Sequence, residues 1–270
     1  MKALLIGDVV GRPGRVAIER FVIPLREELG LDFVSANCEN VAGGTGVTPT
    51  TADELFRAGV DMLTSGNHVW RKKEALELLK LDHRVLRPAN YPETAPGSGS
   101  TVITTLSGHK VGVLNVQGRV FMDPVTACPF RTAEKELERL RLVTSMIIVD
   151  MHAEATSEKV ALGWFLDGKV SCVFGTHTHI PTADERILPK GTAFLSDVGM
   201  TGPYDSVIGR ETPQIVERFL SGIPVKSEVA QGNVQLHALL VDIDPATGKA
   251  THVERVRRVL DEAVVDARER

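Results

Sequence analysis

The sequence predicts an α/β fold with a two-layer sheet core and helices outside. Three observations carry that expectation. Short apolar strands alternate with amphipathic helices over most of the chain, a hairpin signal interrupts them midway, and strands joined by turns follow toward the C-terminus.

Residues 2–9 form a strand of the buried type, and beyond Pro13 the apolar positions Ile18, Phe21, Val22, Leu25 and Leu29 recur at helical spacing. The βα pattern repeats as strand 33–38 with helix 52–58, then strand 61–65 with helix 71–81. Such alternation predicts a mostly parallel sheet. Ser107-Gly108-His109 is a hairpin-like turn between strands 101–106 and 110–116. Helix 132–143, strand 146–151, helix 158–165 and strand 170–174 resume the rhythm. Segments 185–188, 193–196, 234–243 and 251–259 read as strands, with one helix at 213–220 among them. They predict a second, antiparallel sheet packed against the first. No linker, low-complexity tract or internal repeat divides residues 1–270, so one domain is expected.

The chain is 43% hydrophobic and 24% charged, as ordinary globular proteins are. A formal net charge of -4 provides no global positive field, so long nucleic acid is not an expected partner. No segment approaches membrane-span length, and Asp8 interrupts the N-terminal apolar run too early for a signal-peptide core. A cytoplasmic protein without membrane contact is therefore expected, and a homo-oligomer is compatible with the sequence. Cys38, Cys128 and Cys172 lack CxxC spacing and are expected to be buried reduced thiols.

Ligands of open α/β sheets collect where strands end, because the loops there converge on one crevice. Five strand exits carry potential metal donors: Asp8; Glu39 and Asn40; Asn67; His152; His177 and His179. Each alone reads as a cap or turn residue, whereas their recurrence at the same end of successive strands points to a metal site. Carboxylate, amide and imidazole without thiolate suit iron or manganese, with zinc also compatible, better than calcium. Seven donors exceed the needs of one tetrahedral ion. They suffice for two ions about 3.5–4 Å apart sharing Glu39, with a hydroxide between them as nucleophile.

The runs GD (7–8), NCEN (37–40), GNH (66–68) and GTHTH (175–179), together with His152, resemble the calcineurin-like metallophosphoesterases. Within that superfamily, GDVVGRPGR (7–15), NCENVAGGTGVT (37–48), SGNHVW (65–70), VDMHAEATSEK (149–159) and GTHTHIPTADERILPKGTAFLSDVGMTGP (175–203) resemble the YmdB family of bacterial 2′,3′-cyclic-nucleotide 2′-phosphodiesterases. Val10 stands where the superfamily usually has a histidine, Glu39 where it has Asp, and Val69 where it has an acid. The YmdB-like pattern shares these departures, with Asn40 completing the first ligand set.

The resemblance implies a sandwich of two mixed sheets with helices outside, and two divalent or mixed-valence metal ions. It assigns Asp8, Glu39, Asn40 and His179 to one ion and Glu39, Asn67, His152 and His177 to the other. The bridging hydroxide is expected to attack phosphorus in a small nucleotide phosphodiester, while His68 protonates the leaving oxygen. Thr45 in the Gly43–Gly46 turn and Arg12 are the expected substrate contacts. Three alternatives stay open: a phosphomonoesterase or nuclease on the same fold, an amidohydrolase using His177 and His179 as its HxH pair, and a non-catalytic nucleotide-sensing regulator. His83, His109, His237 and His252 are expected to be structural or exposed, and Trp70 and Trp164 to be core aromatics.

Overall fold

The computed structural model describes residues 1–261. The first half contains β1 (Lys2–Val9), α1 (Gly11–Leu29), β2 (Phe33–Asn37), α2 (Pro49–Arg57), β3 (Met62–Thr64), α3 (Ala75–Leu81), β4 (Ser100–Thr104) and β5 (Lys110–Gln117). The second contains α4 (Pro129–Leu140), β6 (Ile147–His152), α5 (Thr156–Leu166), β7 (Cys172–Thr176), β8 (Arg186–Ile187), β9 (Ala193–Leu195), β10 (Met200–Pro203), α6 (Thr212–Ser221), β11 (Val234–Ile243) and β12 (Ala250–Val259).

The strands form two mixed sheets of six, in the orders β12-β11-β10-β1-β2-β3 and β4-β5-β6-β7-β9-β8. Because successive side chains on a strand point to opposite faces, each buried strand feeds two cores. On β1, Leu4 and Ile6 pack with Ile18, Val22 and Leu25 of α1 and Leu55 of α2, whereas Ala3 and Leu5 point into the space between the sheets. There they meet Val113, Ile148, Cys172, Phe174 and Leu195 of the second sheet. That sheet's outer face, including Leu114, Ile147 and Val149, packs on Leu137 of α4 and Leu162 of α5. The result is four layers, helix–sheet–sheet–helix.

The structure corrects several expectations. The antiparallel strands do not make a sheet of their own. β11 pairs antiparallel with residues 2–6 of β1, and β4 pairs antiparallel with β5 at the edge of the second sheet. The first sheet is therefore parallel from β10 to β3 with antiparallel strands at its other edge, and the second has a parallel centre with an antiparallel strand at each edge. β10 was not anticipated, since its sequence MTGP carries the Gly and Pro that ordinarily mark turns. It lies parallel to β1, with Asp8 beside Met200. The expected helix 71–81 divides into a 3₁₀ turn, Val69–Arg71, and α3, because Lys72 is extended where the Gly46 turn packs against it. α4 begins at Pro129, whose fixed φ suits the first helical turn, and ends before the exposed Leu142. Trp70 packs against the first core, but Trp164 lies on the open face of α5, half exposed beneath Arg186. Cys38 and Cys172 are buried and reduced, while Cys128 is only partly covered. Among the described residues, no helix is long and apolar enough to cross a membrane.

Candidate metal centre

The parallel strands of both sheets end on the same rim. β1 delivers Asp8, the turn after β2 delivers Glu39 and Asn40, and the turn after β3 delivers Asn67 and His68. From the second sheet, β6 ends at His152 and the segment after β7 carries His177 and His179. All seven expected donors and His68 are thereby brought into one cluster. Glu39, His152 and His177 have ligand atoms within 4.8 Å of one another. Gly66 makes the approach of the two sheets feasible, since a Cβ there would lie 2.1 Å from the His152 ring and 2.4 Å from Glu39 Oε2.

Each histidine is oriented from behind. The Thr176 hydroxyl donates to Asp150 Oδ1 at 2.7 Å, so toward His152 Nδ1, 2.9 Å away, it acts as acceptor. His152 is thus held with Nε2 facing the cluster. His179 Nδ1 lies 2.9 Å from the Ile208 carbonyl, which leaves Nε2 facing Asn40 Nδ2 at 3.0 Å. His177 Nε2 lies 3.1 Å from Glu154 Oε2, which turns Nδ1 inward. Asp150 also accepts from Asn37 Nδ2 and Thr64 Oγ1, tying β2 and β3 to β6 and β7. Burial pushes its carboxyl up to about 6, against His152 and the two hydroxyls.

Converging acceptors dominate the centre. His152 Nε2 is 3.1 Å from Asn67 Oδ1, 3.2 Å from Glu39 Oε2 and 3.1 Å from His177 Nδ1. One ring nitrogen offers one proton, which cannot serve three acceptors at once, whereas a cation can. Asp8 supplies a second sign of the same need. Its Oδ2 accepts the His177 backbone N–H at 3.0 Å, while its fully buried Oδ1 has no hydrogen-bond partner. The imidazoles of His152 and His179 each stand 3.9 Å from that oxygen.

Electrostatics point the same way. Burial raises Glu39, but His152 and His68 outweigh it and hold the carboxyl well below the usual range. Burial works against a charge on His152, yet Glu39, with Asp8 and Asp150, carries it up to about 9. Burial and the neighbouring His152 push His177 down to about 3. The cluster thus attracts positive charge to the point where its donors converge. On these grounds the residues fit a metal centre. Asn40 alone must turn to serve as an oxygen ligand: its Oδ1 now faces His68 and its Nδ2 faces His179, and a 180° amide rotation exchanges them.

His68 is only partly covered, with its side chain 30% exposed. Its Nδ1 lies 3.0 Å from Asn40 Oδ1 and 3.1 Å from Glu39 Oε1, and its backbone N–H donates to Glu39 Oε2. Thr45 accepts a 2.9 Å hydrogen bond from Arg210 Nη2, which also reaches the Gly44 carbonyl. Arg12 is exposed and lines a groove between α1 and α2 with Arg15, Glu19, Glu54 and Arg57. Sequence reasoning missed Asp150, Thr176, Glu154 and Arg210. Strand alternation puts Asp150 on the same face as His152, and the register pairs Thr176 with His152, so those two had a local signal. Arg210 had none.

Comparison with known proteins identifies the family to which the chain belongs. Residues 4–256 match the family model described as YmdB-like protein. The chain is 45% identical over 256 residues to the Bacillus subtilis (strain 168) protein named 2′,3′-cyclic-nucleotide 2′-phosphodiesterase, covering 95% of this chain and 96% of that one. It is 36% identical to a putative phosphatase/phosphodiesterase of Mycoplasma genitalium, over 97% of this chain and 94% of the relative. Two solved structures share the fold at a TM-score of 0.90. One is a hypothetical protein from Thermus thermophilus, 40% identical, covering 97% of this chain and all of that one. The other is a novel phosphatase from Mycoplasma pneumoniae, 35% identical, covering 98% and 96%. The chain belongs to the YmdB-like family.

Proposed function

We propose that this protein is a two-metal phosphodiesterase that opens 2′,3′-cyclic nucleotides to 3′-nucleotides. The observation that carries the reading is the crowding of Asn67, Glu39 and His177 acceptors around His152 Nε2, beside an unpartnered Asp8 oxygen. The substrate class follows the name of the Bacillus relative.

Asp8, Glu39, Asn40 and His179 would hold one ion, and Glu39, Asn67, His152 and His177 the other. Iron or manganese suits these donors. When bound, two such cations would offset phosphoryl charge and would lower the pKa of water toward neutrality so that it could serve as the nucleophile. The protein's own part is orientation and proton transfer. Glu39, buried and ionised, balances positive charge from both sides of the cluster. His68 has Nδ1 engaged by Asn40 and Glu39, so Nε2 is the nitrogen that protonates O2′ as its bond to phosphorus breaks. The phosphate stays on O3′. Thr45, held by Arg210, and Arg12 are the proposed substrate contacts.

A panel of 2′,3′-cyclic, 3′,5′-cyclic and monoester nucleotides, assayed with chelator-treated protein reloaded with Fe²⁺ or Mn²⁺, tests the reading. It expects metal-dependent conversion of the 2′,3′-cyclic compounds to 3′-nucleotides. Faster turnover of the monoesters, or activity surviving metal removal, would refute it.

A further inference from the structure

Behind the His177-Thr178-His179 turn lies a charge pair that the ligand set does not use. Lys159 of α5 and Asp197, just beyond β9, are 2% and 1% exposed, and Lys159 Nζ donates to Asp197 Oδ2 at 2.6 Å. The same oxygen accepts from the Thr178 hydroxyl at 2.8 Å and from the Thr178 backbone N–H at 3.2 Å. Oδ1 accepts from the Gly199 N–H at 2.8 Å. The Asp197 backbone is fixed in turn, its N–H donating to Thr182 Oγ1 and its carbonyl accepting from Thr182. Both residues fall in runs that carry the family resemblance, 149–159 and 175–203.

The turn needs such an anchor. His177 and His179 both have left-handed backbones, with φ of 97° and 66°, a region that residues other than glycine rarely occupy. Such a conformation persists only when its surroundings over-determine it. Asp8 holds the His177 N–H, Met200 donates to the His179 carbonyl, and Asp197 holds the residue between them. A buried carboxylate is costly unless it is paired or fully hydrogen-bonded, and Lys159 supplies a buried cation beside this one. The lysine stem also packs on Gly175, where a Cβ would meet its Cδ at 2.8 Å.

We infer that Lys159 and Asp197 are positioning residues: by pinning Thr178 they set the two imidazoles on either side of it and thereby the metal affinity of the centre. This inference rests on the metal-centre reading above. Neighbours that orient a ligand from outside are typically worth about 10- to 100-fold in metal affinity.

The test measures Mn²⁺ binding calorimetrically on chelator-treated protein, alongside thermal unfolding. Lys159→Met/Asp197→Leu removes both charges together, leaving neither buried alone. The double variant is expected to stay folded but to melt lower, because the Thr178 and Gly199 N–H groups lose their acceptor, and, at temperatures where it is fully folded, to bind Mn²⁺ at least about tenfold more weakly, with kcat falling more than KM rises. Lys159→Arg, which keeps the charge, is expected to hold binding within about threefold of the parent, well short of the range above. Thr178→Val leaves the pair intact and cuts its hydroxyl link to the turn, so it serves even where the double variant does not fold. It too is expected to weaken Mn²⁺ binding, here without lowering the melting temperature. Parent-like binding in the double variant or in Thr178→Val would overturn the inference. A parent protein that binds Mn²⁺ yet hydrolyses no cyclic nucleotide would sink the proposed function alone, and one that binds no metal would sink both.

Discussion

Glu39→Gln separates a charge-balanced metal site from a hydrogen-bonded polar core. Glu39 is 1% exposed, and both its oxygens are used: Oε2 faces His152 Nε2 at 3.2 Å and the His68 N–H at 3.0 Å, Oε1 faces Asn40 Nδ2 at 3.2 Å. Glutamine has the same shape but no charge. The size of the loss can be read from His152. Burial alone would lower that imidazole, yet Glu39, the largest of the raising influences, together with Asp8 and Asp150 takes it from 6.5 to about 9. That rise corresponds to roughly 3 kcal/mol in favour of one positive charge at the point where the donors converge. Glu39 supplies the largest share of that pull, so a cation held there loses on the order of tenfold in binding constant without it. Calorimetric titration of chelator-treated variant and parent with Mn²⁺ measures it directly. The variant is expected to lose one equivalent outright or bind both at least about tenfold more weakly, with turnover falling in parallel. Two equivalents bound at parent affinity would remove Glu39 from any bridging role.

Three further outcomes follow from the geometry. His68→Asn should retain metal content while kcat falls about 10²- to 10⁴-fold, as loss of a general acid requires, and unchanged turnover would exclude His68 as proton donor. Thr176→Val leaves His152 Nδ1 without its 2.9 Å acceptor and should weaken metal binding by roughly 10- to 100-fold, checked by the same calorimetry. His237 lies outside the centre, stacked on Tyr204 at 4.7 Å, and burial with Arg257 and Arg255 nearby lowers it to about 4. Unfolded histidine takes up its proton near 6.5, so the folded state is penalised as pH falls from 6.5 to about 4 and unaffected above 6.5. His237→Gln should abolish about 1–2 kcal/mol of that acid destabilisation, after discounting for partial exposure, and identical melting-temperature profiles over that range would refute the assignment.

The cluster was legible in the sequence because Asp8, Glu39 and His152 each lie at or beside the end of a strand read from a short apolar run. The partition of strands into two sheets was not. β3 and β4 follow one another in sequence but lie in different sheets, and nothing local records which neighbour a parallel strand will choose. β10 was hidden by its Gly and Pro, although it sits directly beside Asp8. The residues that orient the ligands were hidden for another reason. Lys159 reads as a surface charge on a helix, and only the three-dimensional structure brings Asp197, 38 residues later, into contact with it. Trp164 misled in the opposite direction, because α5 turns its small Gly163, not the adjacent indole, toward Phe194.

Anomalous scattering from crystals of protein purified without chelator is the most direct test of the central claim. Two metal peaks are predicted, both contacting Glu39, with Asp8, Asn40 and His179 around one and Asn67, His152 and His177 around the other. A map with no peak within reach of His152 Nε2, or with a single ion that leaves Glu39 unbound, would contradict the account.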